Sequence, residues 1–101
     1  MKIGIDMVYI PRAERILHSV EELSALFDES EMVHLKDAES VAGAIALKEA
    51  FFKAVGEKKE WKTVRVCHKE SGAPYLEHDT ESIEAVSISH DGDYTIAVVV
   101  C

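Results

Sequence analysis

Glu49 and Lys53 stand one helical turn apart in the run Ser40-Val-Ala-Gly-Ala-Ile-Ala-Leu-Lys48-Glu49-Ala50-Phe-Phe-Lys53-Ala-Val-Gly56. At 3.6 residues per turn they share a face above Ala42 and Ala46, whose methyl groups leave open space beside the charges. In that order they also form the favoured helical salt bridge, worth about 0.2–0.5 kcal/mol and common on surfaces. Two other positions are awkward for their surroundings. Asp6 falls in the middle of an apolar, β-branched stretch, where a carboxylate is costly unless paired or bound to a cation. His90 follows Ser87-Ile-Ser89 at the end of another such stretch, beside a glycine-containing turn, where a histidine is ordinarily no more than surface. Two carboxylates on separate elements, Asp6 and Glu49, can hold a hard cation such as Mg²⁺, which keeps several waters and accepts phosphate oxygens. A nearby lysine then suits a phosphate. A pyrophosphate-bearing substrate would use all of these groups together.

The elements that must position them follow from periodicity. Residues 2–10 read as a strand. Pro11 opens an amphipathic helix over 11–26, with Ile16, Val20, Leu23 and Leu26 at helical spacing and Arg12 and Arg15 on its early exposed side. Asp28-Glu-Ser-Glu31 starts a short helix to about Asp37, with Met32, Val33 and Leu35 supplying its buried side. The main helix, 40–56, has Ser40 as its expected N-cap and Gly56 as its stop, and it is apolar almost all the way round. From Trp61 the period changes to two. Strands are predicted over 61–68, 73–77, 83–90 and 94–100, with turns at Lys69–Gly72 and Asp91-Gly92-Asp93 and a polar connection at 78–82. The outline is α+β: a strand, three helices, then two hairpins forming a mainly antiparallel sheet, in one domain over residues 1–101.

Composition narrows the function classes. A formal net charge of −8 argues against nucleic-acid binding, which needs a basic surface. No apolar run reaches membrane-spanning length, and in Met-Lys-Ile-Gly-Ile-Asp6 a charge interrupts the apolar segment almost at once, unlike a signal peptide. Cys67 and Cys101 lack metal-ligand spacing and read as free thiols of a cytoplasmic protein.

Four segments together, Gly4-Ile-Asp6-Met-Val, Ala46-Leu-Lys48-Glu49-Ala50-Phe-Phe-Lys53-Ala-Val-Gly56, Gly72-Ala-Pro-Tyr and Ser87-Ile-Ser89-His90, resemble the holo-[acyl-carrier-protein] synthases, the small 4′-phosphopantetheinyl transferases. The order is the family's, and the resemblance spans nearly the whole chain. It implies Mg²⁺-dependent transfer of phosphopantetheine from coenzyme A to a serine of apo acyl carrier protein, of fatty-acid biosynthesis or of secondary metabolism. By position, Asp6 and Glu49 match the metal ligands and Lys53 the lysine at the coenzyme A phosphates. Lys48 belongs to the same motif as a further cofactor-binding candidate. His90, with Ser89 beside it, matches the holder of the nucleotide end. Arg12, with Arg15 one turn on, matches the basic helix face that receives the carrier protein. Glu49, or a water on the metal, would take the serine proton. Family members of this length are typically homotrimers with shared sites.

The chain departs from the family pattern in three places. Ala44 stands where an arginine is usual, the connection from Tyr75 to Ser87 is short by a helix, and Glu21 and Glu22 make the first helix less basic. Ala44 and the short connection favour one rival reading, a non-catalytic module that binds coenzyme A or a carrier protein, whereas intact Asp6, Glu49 and Lys53 argue against it. Another rival, a metal-dependent phosphohydrolase, would use the same carboxylates.

Overall fold

The computed structural model describes residues 1–101. Strand β1 (Ile3–Tyr9) runs into α1 (Ile10–Leu17) and α2 (Val20–Leu26), then a 3₁₀ helix at Glu29–His34 and the long α3 (Ala38–Val55). A 3₁₀ turn at Trp61–Thr63 leads to β2 (Val64–His68), β3 (Pro74–His78), β4 (Glu81–Ile83), β5 (Val86–Asp91) and β6 (Tyr94–Val100). The strands form two antiparallel sheets, ordered β1-β6-β5 and β2-β3-β4.

Helix α3 is the spine. Its buried residues include Val41, Ala42, Ala46, Leu47, Ala50, Phe51 and Phe52, and it packs against β1 and β6 on one side and β2 on another. Strand β1 lies so close that a Cβ on Gly4 would collide with the Ala50 carbonyl oxygen and stand 2.7 Å from the Ala54 nitrogen. Only glycine lets the two backbones meet there. The two-residue period of a strand then turns Asp6 and Val8 toward α3 as well. It turns Ile3, Ile5, Met7 and Tyr9 outward, where they remain exposed. On β6, Thr95, Ala97 and Val99 are buried and Tyr94 and Ile96 are exposed, so the outer face of this sheet is a bare apolar surface.

Several expected boundaries move. Asp37, not Ser40, is the N-cap of α3: its carboxylate accepts from Ser40 N, and the Ser40 hydroxyl accepts from Asp37 N, a reciprocal capping box. The expected helix over 11–26 breaks at His18, because the Ser19 side chain accepts from Glu22 N and caps a second helix. The second expected helix, from Asp28 to about Asp37, is only a 3₁₀ helix, and Val33 faces solvent. Trp61 precedes the strand instead of starting it. The expected strand over 83–90 is cut at Glu84-Ala85: Ile83 pairs with Leu76 in one sheet and Val86 with Val99 in the other. The polar stretch before it supplies β4.

Candidate active site

Strand β1 and helix α3 bring Asp6 to Lys53: Nζ donates to Asp6 Oδ1 at 3.0 Å across 47 residues of chain. The lysine remains 56% exposed and the aspartate only 15%. Lys53 therefore reaches across to the strand instead of back to Glu49. Glu49, one turn earlier on the helix, is half-buried, and its nearest cation is Lys58, with Nζ 3.9 Å from Oε1. Asp6 and Glu49 are hard oxygen donors on two rigid elements. No three or more His, Cys, Asp or Glu side chains gather anywhere into a closed metal cage. Two carboxylates are a donor set that suits Mg²⁺, which fills its remaining positions with water and phosphate oxygens. The residues fit that ion.

Lys48 is a correction to the sequence reading. It is wholly buried, and its ammonium donates to Glu31 Oε1, the Leu26 carbonyl and the Trp61 carbonyl, each at 2.9 Å. An ammonium has three protons. All are used, so none is left for a phosphate. Burial pulls its pKa below the ordinary lysine value, an effect the Glu31 carboxylate opposes. Glu31 in turn accepts from Asp28 N at 2.7 Å and from Val66 N at 2.8 Å, so one buried ion pair ties together α2, the 3₁₀ helix, α3 and β2. The sequence marked Glu31 only as part of a helix start. Its capping role was readable from the Asp28-x-x-Glu31 spacing, whereas its pairing with Lys48 had no local signal.

Toward the N-terminal end of α3 a groove of about 490 Å³ opens between that helix, the 3₁₀ helix, β2 and β5, its lining including His34, Glu39, Gly43, Ala44, His68 and His90. His90 Nε2 lies 3.0 Å from Glu39 Oε1. Ala44, where the family usually carries arginine, contributes a buried methyl group to the wall. Neither lysine nor arginine lines the groove. Ser89 is not brought to it: it pairs with Ile96 on the outer sheet face. Gly43 and Glu49 are six residues apart, about 9 Å along the helix axis, so His90 and the Asp6–Lys53 pair occupy two stations on one spine and no common cavity.

Arg12 and Arg15 are both exposed on α1, and Arg15 lies 3.7 Å from Glu22. Sequence reasoning missed His34 and His68, whose rings stack with centroids 4.0 Å apart although they are separated by 34 positions and two elements.

The sequence profile of the 4′-phosphopantetheinyl transferase superfamily matches residues 2–99. The holo-[acyl-carrier-protein] synthase of a Wolbachia species is 36% identical over 98% of this chain and 96% of its own length. Among solved structures, that of the Helicobacter pylori holo-[acyl-carrier-protein] synthase in complex with coenzyme A aligns with a TM-score of 0.88. The alignment has 33% identity and covers 97% of each chain. The Bacillus anthracis synthase, solved in complex with CoA (3′,5′-ADP), aligns with a TM-score of 0.84 and 33% identity, over 97% of this chain and 92% of its own. With that match over residues 2–99 and a relative 36% identical over nearly the whole of both chains, this chain belongs to the 4′-phosphopantetheinyl transferase superfamily.

Proposed function

We propose that this protein transfers the 4′-phosphopantetheine group of coenzyme A to a serine hydroxyl of an apo acyl carrier protein, releasing adenosine 3′,5′-bisphosphate. The observation that carries this reading is the meeting of Asp6 and Lys53 across the β1–α3 contact, with Glu49 one turn away. The nucleophile belongs to the partner, so the enzyme's work is to neutralise and orient a pyrophosphate and to help remove one proton. Lys53, exposed and held only by Asp6, is free to turn to a phosphate oxygen. Asp6 and Glu49 would hold Mg²⁺, which when bound offsets charge growing on the leaving phosphate. Glu49 is also a candidate acceptor for the serine proton. His90 would hold the nucleotide end after releasing Glu39, and the exposed Arg12 and Arg15 would meet acidic groups of the carrier. The two free cysteines suit a reducing cytoplasm.

We further infer a homotrimer with shared sites. The bare outer face of the β1-β6-β5 sheet supports self-association. The groove beside His90 lacks lysine and arginine, so positive charge for phosphates has to come from outside its own lining. The same lack supports the rival module that binds without turnover.

Intact mass of an apo acyl carrier protein, incubated with this protein, coenzyme A and Mg²⁺, separates the readings. The expected result is a gain of one phosphopantetheine, lost with Asp6→Ala. Coenzyme A binding without any gain across several carriers would establish the module instead. Coenzyme A cleavage in the absence of a carrier would point to the hydrolase.

A further inference from the structure

His34 and His68 belong to no motif of the sequence and to none of the roles assigned above. His34 is exposed at the end of the 3₁₀ helix, and its ring lies over that of the half-buried His68 at 4.0 Å, tilted by 33°. Both line the groove that contains His90. His68 Nδ1 is buried and has no hydrogen-bond partner, and burial together with His34 holds the His68 imidazole below its usual pKa. Three occupants can be weighed. A metal ion would need further ligands, and no third His, Cys, Asp or Glu joins the pair. A phosphate on the stack would depend on positive charge brought from outside the lining, and the Asp37 and Glu39 carboxylates on the rim oppose it. A flat, uncharged heteroaromatic ring bearing amino groups meets neither objection. Stacked imidazoles give it an aromatic surface, the Ala44 and Ile88 side chains give apolar walls, and the rim carboxylates can accept from its amino groups.

We propose that the His34–His68 stack is the platform on which the purine base of the substrate lies, making His34 a specificity-determining residue of this chain. This rests on the coenzyme A reading given above. Removing an aromatic partner of a stacked base weakens binding by a factor that is large but tolerant of ring type. His34→Ala is therefore expected to raise the KM for coenzyme A about five- to fiftyfold with kcat little changed. His34→Phe should restore most of the loss, since a phenyl ring keeps the stacking face and discards the ring nitrogens. Phosphopantetheine, which lacks the base, should compete equally well against the parent and the alanine variant. His34 is exposed, and thermal melts of both variants would show that the fold is kept.

An unchanged KM for His34→Ala, equal weakening of coenzyme A and phosphopantetheine, or failure of His34→Phe to rescue would each overturn the platform. If the parent binds coenzyme A but transfers nothing, the same comparisons are made on dissociation constants, and only the function reading fails. If the parent does not bind coenzyme A at all, both readings fall.

Discussion

At the residue scale, two lysines five positions apart on α3 have opposite environments, and substitution separates them. Lys48 lies wholly inside, bonded to Glu31 and two carbonyls. Lys53 stands 56% exposed beside Asp6. Lys48→Met leaves Glu31 buried without its cation, a change expected to destabilise by about 3–5 kcal/mol and to lower the urea midpoint sharply. Lys53→Met loses a pair whose lysine is exposed and whose aspartate is mostly covered, so stability should fall by about 1 kcal/mol while transfer falls by about 10²-fold. A parent-like urea midpoint for Lys48→Met would contradict its structural role. The motif letters Lys48-Glu49 and Lys53 were legible in the sequence. Which lysine faces Glu31 was not, because Glu31 and Trp61 reach Lys48 only through tertiary packing.

At the scale of elements, the β1–α3 contact and the start of α3 set the geometry. Gly4→Ala places a methyl group against the Ala50 carbonyl, and the strand carrying Asp6 must move away. The expected loss is at least about 1–3 kcal/mol, with transfer reduced even where the protein remains folded. Normal activity of a folded Gly4→Ala protein would show that the site tolerates a displaced strand. The cap of α3 gives a pH test. Hydrogen bonds from the Ser40 amide and then its hydroxyl hold the Asp37 carboxyl below its ordinary value of 3.8. A lowered folded pKa contributes stability that is present above the unfolded value and lost as pH falls through the folded one. Asp37→Ala should therefore cost about 1 kcal/mol near neutral pH, and the difference from the parent should narrow in unfolding curves taken below that ordinary value. A difference that widens in acid would reverse the sign. The sequence showed this helix by its alanine-rich run but started it at Ser40. Asp37 and Ser40 are both good capping residues, and the true start is decided by which one's backbone leaves the helix.

For the molecule as a whole, the outer face formed by Ile3, Ile5, Met7, Tyr9, Tyr94 and Ile96 is the surface most out of place on a single chain. Tyr9 and Tyr94 also stack across it, with ring centroids 5.4 Å apart. The assembly proposed above would bury it. Ile5→Lys and Met7→Glu should leave the fold intact, because both side chains already point away from α3, and should shift sedimentation to the monomer. Transfer should fall with assembly if neighbouring copies complete the site. A parent protein that sediments as a monomer would remove the trimer from the reading, and undiminished transfer by a monomeric variant would remove the shared site.

The sequence by itself determined the parts governed by local rules. These were the α+β order, the alanine-rich helix and its Gly56 stop, the hairpin at Gly92, and Asp6, Glu49 and Lys53 as charges out of character for their neighbours. Each depends on a period, a cap or a residue out of character for its neighbours, which nearby positions suffice to reveal. Tertiary structure alone decided that Lys53 bonds to Asp6, that Lys48 serves the core, that the strands divide into two sheets at Glu84-Ala85, and that His34 meets His68. Those outcomes join positions from about 17 to 47 residues apart or choose between two locally plausible continuations. Burial and close packing, which operate between elements, settle them.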